Sequence, residues 1–182
     1  MIPQPTKGPN ETQLPETLCS AGQHLHIDYG FVRGSDWHKE DNDSKLVTSV
    51  DKYRSYLLVI DRCTQFIWIY LTKSKSPPVD FITRLLSKFA NPKLISTVTT
   101  DQGGELAKSF DFAKAVDKCG YILTPTGAYA SAQNGLAENP NTDLAQIMRN
   151  LLYSAGLGSE FWSYSLRHAV YLKNRWPHSS LS

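Results

Sequence analysis

The stretch YLLVIDRCTQFIWIYL, residues 56–71, holds two apolar runs, YLLVI and FIWIYL, parted by Asp61, Arg62, Cys63, Thr64 and Gln65. A connection of that length suits a hairpin, so two antiparallel strands are predicted here. Upstream, QHLHIDYGFV (23–32) alternates in polarity and carries β-branched and aromatic residues, which reads as a third strand with Asp28 near its middle. The polar segment 34–54 reads as an excursion over the surface. Residues 1–18 are rich in proline and polar side chains without apolar periodicity, and are expected to be an arm or linker outside the core.

Downstream of Pro77-Pro78, the positions Phe81, Ile82, Leu85, Leu86 and Phe89 have helical spacing, and Asn91-Pro92 stops the run. LISTVTT (94–100) then predicts a strand that delivers Asp101 at its carboxyl end. Phe112, Ala115, Val116 and Cys119 form a short helical stripe closed by Gly120, suited to a left-handed cap. YILTP (121–125) is a further strand, and the small, polar TGAYASAQNG (126–135) suits a mobile loop. Leu144, Ile147, Met148, Leu151, Leu152 and Ala155 repeat at three and four residues, an amphipathic helix ending at Gly156. A last helix is predicted over 160–175, with Trp162, Leu166, Ala169 and Val170 on one face and Pro177 past its end. Three leading strands followed by helix, strand, helix, strand and two helices describe an α/β protein: a mixed five-stranded sheet flanked by helices, the order of the ribonuclease H-like fold.

At 182 residues and 41% hydrophobic, the chain can bury one ordinary core, so residues 19–182 are read as a single domain. The formal net charge is only +2, which places any nucleic-acid contact in a local patch. Cys19, Cys63 and Cys119 lie far apart without a CxxC pair, which argues against a zinc ribbon and a disulfide framework and fits a reducing compartment. With no apolar run of roughly 18 residues and no signal-like start, the chain is expected to be soluble and free of membrane.

Carboxylates at strand ends and helix entrances are where Mg²⁺ sites are often built, since a few oxygen ligands hold the ion beside substrate phosphates. The candidates are Asp28, Asp101 and Glu138. Each has a plainer reading when taken alone. Asp28 sits in a strand where Asp is a poor strand former, Asp-Gln-Gly-Gly after position 100 is an ordinary turn, and Glu138 before Asn139-Pro140 complements a helix N-terminus. Jointly they suit a pair of cations about 3.5 to 4 Å apart that serve an in-line displacement at phosphorus.

The pieces HIDYG (26–30), TTDQGGEL (99–106) and QNGLAENPN (133–141) resemble the three signature blocks of retroviral and retrotransposon integrases, most closely the copia-like group. Positions 102 to 137 leave 36 residues between the last two acids, close to the spacing that characterises the family. The likeness runs from about Gln23 to Leu181 and includes LLYSAGLGSEFWSYSLRHAVYLKNRWPHSSL (151–181). It implies a catalytic core of a Pol polyprotein integrase in which Asp28, Asp101 and Glu138 bind two Mg²⁺ or Mn²⁺ ions. It further implies joining of 3′-hydroxyl ends of element DNA to target DNA in the nucleus, after a cytoplasmic particle stage. Homodimers of cores within a larger assembly are implied as well, and Gln133, Asn134 and Arg149 become candidate DNA contacts. A plain Asn-Gly turn accounts equally well for Asn134 and Gly135. Tyr129 in the same loop is left out of the site, and Glu105 is read as solvated charge. Asp61 serves turn chemistry, and His24 and His26 are assigned to strand packing because neither has further ligands at zinc spacing.

One departure stands out. Relatives of this type carry basic residues at the positions of Asn139 and Thr142, so that of the polar helix side formed by Glu138, Thr142, Ala145 and Arg149 only Arg149 is cationic. Pro140 is tolerated only in a first helical turn, which puts Glu138 at the helix mouth. The alternatives are a decayed or domesticated core that binds DNA or supports assembly without catalysis, and a nuclease of the same fold. Without a zinc-binding HHCC segment, the chain is expected to be the core of a longer protein.

Overall fold

The hairpin of residues 56–71 forms one side of a mixed sheet in the computed structural model, which describes residues 20–34, 46–74, 76–101, 106–126 and 140–176. The strands are β1 (His24–Gly30), β2 (Ser55–Asp61), β3 (Ile67–Thr72), β4 (Ser96–Asp101) and β5 (Tyr121–Thr126), in the spatial order β3-β2-β1-β4-β5. β1, β2 and β3 pair antiparallel, while β4 runs parallel to both β1 and β5. The predicted α/β class with a mixed five-stranded sheet is therefore observed, and the architecture is compatible with a ribonuclease H-like fold. The arm assigned to residues 1–18 lies outside the described residues.

Four helices follow the sequence periodicities: α1 (Val79–Phe89), α2 (Phe110–Lys118), α3 (Pro140–Ser154) and α4 (Trp162–Lys173), the last entered through a 3₁₀ turn, Ser159–Phe161. Their ends are set by local chemistry. Ser109 Oγ accepts a hydrogen bond from the Phe112 N–H (3.3 Å) at the start of α2, and Gly120 takes φ +77° just past its end. Gly156, at φ +63°, serves α3 likewise, and α3 begins at Pro140, which fits the first-turn placement demanded by its missing N–H.

β2 is buried along its whole length and divides the interior in two. Leu57 and Val59 face one side with Leu25, Ile27 and Val98, under Ile82, Leu86, Phe112 and Val116 of α1 and α2. Tyr56, Leu58 and Ile60 face the other side, under Leu144 and Met148 of α3 and Trp162, Leu166 and Ala169 of α4. No described helix is long and apolar enough to cross a membrane.

Two sequence expectations need correction. The segment 46–54 is not merely an excursion: Val50 N–H donates to Glu160 O (2.9 Å), the Trp162 indole N–H donates to Val47 O (3.0 Å), and Ser49 is buried. Polar side chains hid this packing, because their partners lie more than a hundred residues away in α4. Secondly, Cys63 is disulfide-bonded, whereas Cys119 is free.

Asp51 Oδ1 accepts from both Ser163 Oγ and Ser49 Oγ (2.7 Å each), tying this segment to the first turn of α4. The Ser163 bond is the leading reason its carboxyl lies below the usual range. A depressed carboxyl contributes stability above its unfolded pKa, and the contribution is lost as pH falls through the folded value. Ser163→Ala should therefore raise the Asp51 pKa towards normal, read by NMR titration. It should also lower the thermal midpoint by about 2 to 4 °C at neutral pH, with the difference shrinking in acid.

Candidate functional site

Asp28 lies in β1 and Asp101 is the last residue of β4. The parallel pairing of these strands matches His24 with Thr97, Leu25 with Val98 and His26 with Thr99. Carried onward, the same offset sets Asp28 beside Asp101, and neighbouring strands lie only about 4.8 Å apart. The two carboxylates therefore share one face of the sheet, the face covered by α3. The sequence placed one acid in a strand and one at a strand end; the topology brings them together.

Asp28 is held by two donors. Its Oδ1 accepts from the Tyr29 backbone N–H (2.7 Å) and its Oδ2 from the Asn141 side-chain amide (2.7 Å). Asn141 is in turn gripped by the Tyr56 hydroxyl, which donates to Asn141 Oδ1 (3.3 Å). Burial pushes the Asp28 carboxyl above its usual range and the Asp101 charge pushes the same way, against the two hydrogen bonds and the nearby His26. The buried Tyr56 hydroxyl is pushed up to about 12, by its burial and by the charge of Asp28. A carboxylate that is partly desolvated, restrained in direction and set beside a second carboxylate favours a positive counter-charge.

Asn141 and Tyr56 escaped the sequence reading. The signal for Asn141 was available: it sits three, seven and eleven positions before Leu144, Met148 and Leu152, so it continues the buried stripe of α3 with a polar side chain. A polar residue on an apolar stripe needs a partner, and here the partner is the candidate catalytic acid.

The remaining candidates separate clearly. Glu138, Gln133 and Asn134 lie outside the described residues, as do Glu105, Tyr129 and Asn139. Thr142 and Arg149 are exposed on α3, as expected for its polar side. His24 and His26 hydrogen-bond through Nδ1 to Thr97 Oγ1 (2.9 Å) and Thr99 Oγ1 (3.1 Å), which supports strand packing rather than ligation. Burial lowers the His26 pKa, partly opposed by the charge of Asp28. Asp61 does more than turn chemistry. Fully buried, its carboxylate accepts from Cys63 N–H (3.0 Å) and Thr64 Oγ1 (2.8 Å) within the turn, and from Gly22 N–H (3.0 Å) ahead of β1.

Asp28 and Asp101 offer oxygen donors alone, the donor type that suits Mg²⁺ or Mn²⁺. Among the described residues they are not joined by a third acid, His or Cys in one group that could hold a metal ion. Glu138, the third acid expected from the sequence, precedes Pro140 by two positions in the chain and lies outside the described residues.

No protein-family profile matches the chain. It is 29% identical over 136 residues to the retrovirus-related Pol polyprotein from transposon RE2 of Arabidopsis thaliana, a match covering 74% of this chain and 9% of that protein. The corresponding polyprotein from transposon RE1 of the same plant is 30% identical over 137 residues, again 74% of this chain and 9% of the relative. The Pro-Pol polyprotein of simian foamy virus type 1 is 30% identical over 101 residues, 55% of this chain and 8% of its own length. The chain thus spans about a tenth of the length of the curated relatives it matches. With the sheet order and the paired acids, these similarities make the chain a relative of the retrovirus-related Pol polyproteins of copia-like transposons, in a segment consistent with an integrase core.

Proposed function

We propose that this chain carries out DNA strand transfer, joining 3′-hydroxyl ends of retroelement DNA to target DNA. What supports the reading is the parallel pairing of β1 with β4 up to His26 and Thr99, whose continuation brings Asp28 next to Asp101, together with the Asp101 charge felt at Asp28. Asp28, Asp101 and Glu138 would hold Mg²⁺ or Mn²⁺, two ions in all. Bound there, the metal would supply activation of an attacking oxygen and charge stabilisation for a leaving oxygen in an in-line displacement.

The chain's own part is orientation. The Tyr29 N–H and the Asn141 amide fix the plane of the Asp28 carboxylate, and each oxygen keeps acceptor capacity beyond the bond it already receives. The Tyr56 hydroxyl keeps Asn141 from turning its amide around. The exposed Arg149 on α3 is offered to DNA phosphate, with Gln133 and Asn134 as further DNA contacts. Under this reading the partners are element and target DNA and a second core in a homodimer within a larger integrase assembly, working in the nucleus after a cytoplasmic particle stage.

A second reading has one observation in its favour. Exposed Thr142, with Asn139 before it, replaces the basic residues expected on that side of the helix. Fewer phosphate contacts weaken binding and flatten its salt dependence, which suits a core retained for DNA binding or assembly without catalysis.

Incubation of the purified chain with branched DNA and Mn²⁺ separates the two. Metal-dependent joining or its reversal is expected. A folded protein that neither reacts nor gains thermal stability from Mn²⁺ or Mg²⁺ would remove the enzymatic reading.

A further inference from the structure

β3 is an edge of the sheet, and its outer side is only partly closed. At Ile67 the closure is made by a side chain: Ile67 N–H donates to Asn174 Oδ1 and the Asn174 amide donates to Ile67 O, each at 2.8 Å. Ile67 therefore turns its backbone groups away from β2. In an antiparallel ladder this direction repeats at every second residue, so the N–H and C=O of Ile69 and Leu71 point outward as well. Neither residue's backbone has an outward hydrogen-bond partner among the described residues.

A groove of about 560 Å³ runs along this stretch, lined by Tyr53, Ile69, Tyr70, Leu71, Lys73 and Arg167. Its two charged residues are both cations. Lys73 Nζ lies 5.7 Å and Arg167 Cζ 5.9 Å from the centre of the Tyr53 ring, and both side chains are exposed. Asp51 lies close enough to sense the Arg167 charge, but its Oδ1 already accepts from Ser49 and Ser163. Tyr70 is stacked on Phe81 of α1, with 4.8 Å between ring centres and 29° between planes, which braces the wall on that side.

We infer that this groove takes an extended acidic peptide segment, added to the sheet beside β3 across Ile69 and Leu71. Such a segment meets both needs of the site, since its main chain pairs with the outward backbone groups and its carboxylates reach Lys73 and Arg167. A nucleic-acid strand would offer acceptors to the cations and to outward N–H groups, but it lacks the alternating main-chain donors and acceptors at strand spacing that the outward C=O groups also need. Asn174 limits the added strand at the Ile67 end, so the ladder is short and the affinity modest.

The test uses the whole chain, ¹⁵N-labelled, and a synthetic peptide of alternating valine and glutamate. Binding should slow hydrogen exchange at the Ile69 and Leu71 amides. Affinity should fall by about tenfold or more with Lys73→Glu combined with Arg167→Glu, with lysine in place of glutamate in the peptide, or with a proline at the peptide's centre. The thermal midpoint of the double variant checks that it folds. The inference is overturned by absence of binding, by binding without protection of those amides, or by equal binding of the lysine peptide. It is equally overturned if a short DNA duplex occupies the groove in preference to the peptide, or if the same amides are protected by self-association without it.

Discussion

Asp101→Asn is expected to lower the proposed strand-transfer activity by at least about a thousandfold while leaving the fold intact. Asp101 is exposed at the end of β4, so its replacement by an isosteric amide opens no cavity and strands no buried charge. It does remove half of the described carboxylate pair, and one neutral amide is a far weaker partner for a divalent ion than a carboxylate. Two measurements bear on this besides activity. In the parent, Mn²⁺ at a hundred times its dissociation constant should add about 2.7 kcal/mol to stability, and the variant should lose most of that gain. Without metal, the Asp28 carboxyl should move down towards its usual range, because the Asp101 charge is among the causes that hold it up. If the variant keeps both its activity and its metal-dependent stabilisation, the acid pair is not the centre of the chemistry.

The largest effect on stability is expected from Trp162→Ala, at about 3 to 5 kcal/mol. Trp162 is fully buried at the start of α4, packs against the Tyr56 ring (6.1 Å between centres) and bonds through its indole N–H to Val47 O. Truncation leaves a cavity between β2 and α4 and an unsatisfied carbonyl in the segment that leads into β2. Since whole domains are stable by only about 5 to 15 kcal/mol, the variant should lose a large part of its margin and unfold at a markedly lower urea concentration. Trp162→Phe keeps most of the packing and loses the hydrogen bond, so its cost should be smaller by at least about half. Urea unfolding of both variants checks the order, and equal costs would mean that the indole hydrogen bond, not the packing, dominates.

What could be read in the sequence was what repeats at short range. The strands of the hairpin, the helical stripe from Leu144 to Leu152 and the glycine caps at Gly120 and Gly156 all follow from local period and backbone preference. Asp28 and Asp101 could be named from their motifs, but their adjacency needed the parallel pairing of β1 with β4, which no local pattern encodes. The features that were missed are contacts between side chains far apart in the chain. The Asn141 amide meets a carboxylate 113 positions away, the Asp61 carboxylate reaches back 39 positions to Gly22, and the Asn174 amide closes a strand edge 107 positions away. Such bonds are chosen by the final packing, and a single sequence records only that a polar residue stands in an apolar row.

Gly30 closes β1 directly against Tyr56, and a Cβ built there would fall within the Tyr56 ring itself. Positions 30 and 56 are thus sterically coupled, and they are expected to change together. A lineage that gains a side chain at 30 must shrink the residue at 56, and with the ring goes the hydroxyl that steadies Asn141 and, through it, Asp28. If the chain acts as proposed, copies that have abandoned catalysis would be free to make that exchange, and among copies that have kept it glycine at one position and tyrosine at the other should be inherited as a pair.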